Sequence, residues 1–119
     1  MSVGQLIETY VKAWQAEDAT DRADFLAACW HIDGRYQDPG ADVNGRDALA
    51  DHIAGVHKQF PGARIELTSG VSTHHDNFYF AWHLALADGS MLVAGVDFGT
   101  LSPDGLIMSI CGFFGPPGG

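Results

Sequence analysis

Val3, Leu6, Ile7, Tyr10, Val11 and Trp14 recur along the N-terminal segment at i, i+3, i+4, i+7, i+8 and i+11. That is the stripe one face of a 3.6-residue helix must carry to be buried, and Tyr10 sits in its middle, facing inward. A second helix is predicted over residues 21–30, burying Phe25, Leu26 and Cys29. The run "GRYQ" that follows is short and extended. Pro39 then keeps Asp38 in the β or polyproline region, because the proline ring clashes with a helical predecessor. Asn44, with Asp47 three residues on, reads as a helix cap, and Leu49, Ile53, Val56 and Phe60 continue at helical spacing until "FPG" stops them. Beyond residue 62 the period changes from 3.6 to two. Ile65 and Leu67 alternate with polar neighbours, and Phe78, Phe80, Trp82, Leu84 and Leu86 alternate with Tyr79, Ala81, His83 and Ala85. "ADGS" and "SPDG" are tight-turn signals that separate this strand from one over residues 90–101 and a last one over about 106–115.

Three helices ahead of a meander of four long antiparallel strands give an α+β class, with the helices covering one face of a curved sheet. The strands are apolar on both faces, which a solvated outer face does not require. The convex face is therefore predicted to meet a second copy of the chain in a homodimer. A chain of 119 residues has room for one domain with a core large enough to hold a cavity.

Charge narrows the partners. Six Lys and Arg stand against fifteen Asp and Glu, a formal net charge of −9, and no basic residue follows Arg64. Such a surface repels polyanions, so neither nucleic acid nor an anionic membrane is expected as a partner. The first residues contain Glu8 and Lys12 and read as a domain helix, not as a signal peptide or a span. Cys29 and Cys111 lie far apart without a CxxC motif and read as two reduced thiols of a cytoplasmic protein.

Two acids stand out against this background. Asp97, in "SMLVAGVDFGTL", shares a strand face with Met91, Val93, Gly95, Gly99 and Leu101. A carboxylate among such neighbours must find a partner or keep its proton, because burying it ionised and unpaired costs more than shifting its pKa. The flanking glycines leave room for something to approach it. Asp38 is held before a proline at the mouth of a buried strand. The plainer readings are that Asp97 bonds a nearby backbone N–H, that Asp38 initiates a turn, and that Tyr10 is a core tyrosine needing one hydroxyl partner. Together, however, a phenol and two acids converging on apolar surroundings describe a proton-transfer site.

The runs "ETYVKAWQAED", "YQDPGADVNGRDALADHI", "AGVDFGTL" and "CGFFG" resemble the nuclear transport factor 2-like superfamily and, within it, its SnoaL-like and ketosteroid isomerase-like members, over about residues 3–115 of one domain spanning 1–119. The resemblance implies a cone-shaped sheet, mixed or antiparallel, with three N-terminal helices on its concave side, as in cystatin-like folds. It also implies a cofactor-free enzyme acting on an apolar ketone of steroid or polyketide type. In that pattern Asp38 is the catalytic base, and Tyr10 and a protonated Asp97 donate hydrogen bonds to the dienolate oxygen. A SnoaL-like polyketide cyclase closing a ring by an aldol step, and a non-catalytic ligand-binding or dimerisation module, are the alternatives.

Trp14, Phe60, Trp82, His83 and Phe113 are the candidate substrate-binding walls, with Phe80 and Phe114 also available. No metal site is expected. His52 and His57 do not share a helical face, and His74 and His75 point to opposite sides of a strand.

Overall fold

The computed structural model describes residues 1–118. Its first helix, α1 (Val3–Gln15), starts where Ser2 can cap it. The Gln5 N–H donates to Ser2 Oγ at 3.1 Å, and the Ser2 N–H donates to Gln5 Oε1 at 2.9 Å, which satisfies two otherwise orphaned donors. The inward face carries Leu6, Ile7, Tyr10, Val11, Ala13 and Trp14. Helix α2 (Ala19–Cys29) begins two residues before the predicted start, capped by Asp18, and buries Leu26 and Cys29 while Phe25 stays half-buried. Buried Arg22 donates from Nη2 to the Ala16 carbonyl at 2.7 Å, fastening α2 to a carbonyl at the end of α1.

Trp30, predicted as the last residue of that helix, instead opens strand β1 (Trp30–Asp38). A turn at Pro39 and Gly40 returns the chain as β2 (Ala41–Asn44), paired antiparallel with β1. Helix α3 (Arg46–Gln59) follows, and here the predicted cap is corrected. Asn44 is still paired with Arg35 in the sheet, so Gly45, at φ 89°, takes the N-cap position with no side-chain bond. A positive φ is readily available only to glycine. The remaining strands are β3 (Arg64–Leu67), β4 (Ser72–His74), β5 (Asn77–Ala85), β6 (Met91–Leu101) and β7 (Ile107–Phe114).

The sheet order is β2-β1-β7-β6-β5-β3, with β4 also on β5. Strand β1 runs parallel to β7, and every other pairing is antiparallel. The sheet is thus mixed and open, and register shifts in β1, β5 and β6 give it the bends that bulges impose. Of the four long strands expected in the meander, β3 is only four residues long.

Alternation sorts the strands as a half-covered sheet requires. Phe78, Phe80, Trp82 and Leu84 of β5, Asp97 of β6 and Ile110 of β7 are buried in the core, joined by Ile107 across the register shift that opens β7, and there Ile7, Leu49, Ile53 and Trp30 have no exposed surface. Tyr79, Phe98 and Phe113 lie on the other face and are exposed. No helix among the described residues is long and apolar enough to cross a membrane.

Candidate functional site

Asp38 ends β1 with both carboxylate oxygens engaged. The Gly40 N–H donates to Oδ1 at 2.8 Å, and the Tyr36 hydroxyl donates to Oδ2 at 2.7 Å. Tyr36 lies two residues earlier on the same strand face, so the pleat alone brings the phenol to the acid. Burial, above all, holds that phenol far above its ordinary pKa, which keeps it a donor. From α3, His52 presents Nε2 at 3.6 Å from the same Oδ2. That nitrogen is buried and has no hydrogen-bond partner among the described residues. The imidazole is clasped between Trp14, edge-on at 5.7 Å, and Tyr36 at 5.3 Å.

Asp97 occupies a different environment two strands away. It is 6% exposed and accepts one bond, from Trp82 Nε1–H to Oδ1 at 2.8 Å. Burial pushes its carboxyl up to about 7; the Trp82 bond opposes the rise and the negative charge of Asp38 adds to it. The glycines flanking it do leave room, but for aromatic rings of the core. A Cβ on Gly95 would meet the Trp82 indole at 2.7 Å, and one on Gly99 would collide with Phe78. A third glycine matters more. In the sheet Gly112 of β7 pairs with Asp97, and its neighbour Cys111 pairs with Gln37, so Asp38 and Asp97 flank Gly112 across two strand spacings, roughly 10 Å. A Cβ there would lie 2.7 Å from Asp97 Oδ1 and 3.7 Å from Asp38 Cβ.

Tyr10 reaches the same place from α1, its ring stacked on Trp30 at 5.6 Å. The hydroxyl is buried and, with the Trp14 indole nearby, has no acceptor in hydrogen-bonding geometry among the described residues. Burial first, and the charge of Asp97 next, hold its pKa well above the ordinary value. It is a neutral donor with nothing in the fold to donate to, a condition buried polar groups rarely tolerate away from a binding site.

These groups share one cavity of about 100 Å³. Tyr10, Asp38, Asp97, Trp14 and Trp82 line it, as do Tyr36, His52, Phe80 and, at the rim, Phe114. Three expected wall residues lie elsewhere and are corrected here. His83 is one residue out of phase with Trp82, so it projects from the outer sheet face, where Nε2 sits 3.1 Å from Glu66 Oε1. Phe113 is out of phase with Gly112 and is 57% exposed on that same face. Phe60 is the C-cap of α3, half-buried against the core and away from the cavity. Tyr36 and His52 went unrecognised in the sequence, although both carry a signal. Tyr36 is two residues before Asp38, and His52 falls with Leu49, Ile53 and Val56 on one helical face. Among the described residues no group of three or more His, Cys, Asp or Glu side chains is placed to hold a metal.

A family model described as "SnoaL-like domain" matches residues 7–110. Solved structures superpose over nearly the whole chain. A candidate isomerase of the SnoaL-like family from Agrobacterium tumefaciens is 29% identical with a TM-score of 0.89, over 94% of this chain and 96% of that one. A candidate SnoaL-like polyketide cyclase from Jannaschia sp. is 18% identical with a TM-score of 0.68, over 92% and 85% of the two chains. A protein from Catenulispora acidiphila with a ketosteroid isomerase-like fold, solved with trimethylamine, is 13% identical with a TM-score of 0.71, over 90% and 82%. Other superposable structures are described as nuclear transport factor 2-like and cystatin-like, which names the fold. No curated protein matches the chain in sequence.

Proposed function

The chain belongs to the SnoaL-like domain family, and from that premise we propose that it is a proton-transfer enzyme that isomerises an apolar β,γ-unsaturated ketone. The observation that carries this reading is the pairing of two unlike carboxyl groups on one apolar cavity. Asp38 is held by a phenol and a backbone N–H, while Asp97 is desolvated enough to keep its proton up to about pH 7. Unequal acids at one site are how a fold runs base and acid chemistry together. In the reaction, Asp38 takes the proton α to the carbonyl. The electron pair of that C–H bond moves into a dienolate whose oxygen receives hydrogen bonds from Tyr10 and protonated Asp97. Asp38 then returns the proton to the γ carbon. One proton leaves and re-enters the same molecule, so atoms and charge balance with no cofactor.

The outer sheet face supports a homodimer, with Tyr79, Phe98 and Phe113 exposed together. Two unpaired cysteines suit a reducing compartment, and we assign the protein to the cytoplasm. An aldol cyclase would use Asp38 in the same way on a longer polyketide, and the Jannaschia neighbour bears that name. The test is growth of conjugated-enone absorbance from a β,γ-unsaturated cyclic ketone. Asp38→Asn should lower kcat by about 100- to 10,000-fold, the range for a lost general base. An Asp38→Asn protein as active as the parent, or a folded parent with no turnover, would leave a binding module.

A further inference from the structure

The cavity is small for the ligands that the resemblance suggests. It measures about 100 Å³, whereas pockets that enclose drug-sized molecules run to roughly 300–1,000 Å³ and a cavity of about 150 Å³ is what benzene fills. Resting on the proton-transfer reading, we propose that the substrate is a monocyclic or short acyclic enolisable ketone, with at most one six-membered ring inside the funnel, and not a fused-ring steroid or polyketide.

The walls argue that this size is fixed, because Trp82 and Tyr36 are hydrogen-bonded to the two acids and Trp14 and Phe80 are packed against other rings. Trp82 spends its indole N–H on Asp97 and is seated in the notch left by Gly95, so swinging it outward breaks the one bond Asp97 accepts from a side chain. Tyr36 is tied to Asp38 in the same way. Trp14 is wedged against both Tyr36 and His52, and Phe80 is stacked at 6.3 Å on Phe78, which fills the space beside Gly99. Enlarging the funnel at any of these positions disturbs the acids that would do the chemistry. Phe114 is the exception. It is 45% exposed, makes only an edge contact with Trp82 at 5.8 Å, and stands at the end of β7. The reactive carbonyl must therefore lie in the deep end with Asp38, Asp97 and Tyr10, and any substituent extends toward the partly exposed rim of Val56, Ile65, Val93 and Phe114.

The test uses three phenols as dienolate mimics, namely phenol, 2-naphthol and a phenolic A-ring steroid, titrated by calorimetry at pH 6. Buried apolar area alone favours the larger ligands. The structure calls for the opposite order: phenol at least tenfold tighter than 2-naphthol, and the steroid not bound. Phe114→Ala, which alters only the rim, should narrow the gap between phenol and 2-naphthol by about tenfold. A steroid bound as tightly as phenol would overturn the size limit and leave the proton-transfer reading standing. No binding of any of the three, by a protein with an intact thermal transition, would overturn both.

Discussion

Asp97 shows how much of one residue's chemistry is set by its surroundings. An unfolded-chain aspartate titrates near its ordinary 3.8, and in the fold burial lifts the group to about 7. Between those values the unfolded chain has lost the proton that the folded one still holds, so stability falls as pH rises through that window and levels off above it. About three units at roughly 1.4 kcal/mol each make this on the order of 4 kcal/mol. Asp97→Asn keeps an acceptor for Trp82 and removes the titration. In urea unfolding at successive pH values, the variant should gain on the parent from pH 4 to pH 7 and then run parallel to it. Curves parallel throughout would mean that Asp97 titrates normally. The same group predicts that kcat/KM of the parent falls as pH rises through about 7, because an ionised Asp97 no longer donates to a dienolate oxygen.

At the level of elements, β7 acts as a spacer. It lies between β1, which carries Asp38, and β6, which carries Asp97, and at the level of both acids it has a glycine. Gly112→Ala puts a methyl 2.7 Å from Asp97 Oδ1, a contact that relaxes only if the carboxyl turns away from its bond with Trp82 Nε1. Overpacking of this kind costs about 1–3 kcal/mol. The variant should lose that much in denaturant unfolding and should also lose activity, whereas parent-like stability would mean that the strands yield there. This arrangement was only partly legible in the sequence. The α1 stripe, and the apolar face that Asp97 shares with Val93 and Leu101, followed from periodicity, which is a local property. Strands β2 and β4, four and three residues long, are too short to show a period. The parallel β1–β7 pairing joins segments about seventy residues apart, so no local pattern encodes it, and that pairing is what brings Asp38 beside Gly112. The misplacement of His83 and Phe113 has a different cause: their strands were readable, and strict alternation from Trp82 and Gly112 excludes both. His52 is equally readable from its helical face, which it shares with Leu49, Ile53 and Val56.

At the scale of the whole molecule, a chain with net charge −9 should repel its own copies, yet one sheet face carries an aromatic groove instead of carboxylates. Among the outward side chains of the central strands, Tyr79 stacks on Phe98 at 5.3 Å and Phe98 meets Phe113 edge-on at 6.2 Å. Together with Val96, Pro116 and Pro117 they line a groove of about 610 Å³ that contains no acidic residue. An exposed aromatic cluster of this kind, on a surface otherwise rich in carboxylates, is what an interface between copies requires. Phe114 borders both this groove and the cavity that holds Asp38 and Asp97, so pairing through the groove would also brace the cavity's rim. The decisive substitution is therefore Phe98→Asp, which touches the groove and not the funnel. Sedimentation of the parent at micromolar concentration should give a dimer that persists or tightens as salt rises, because salt screens the net charge and leaves apolar burial intact. Phe98→Asp should sediment as a folded monomer. A parent that is monomeric at tens of micromolar, or a variant that remains dimeric, would assign this face to something other than self-association.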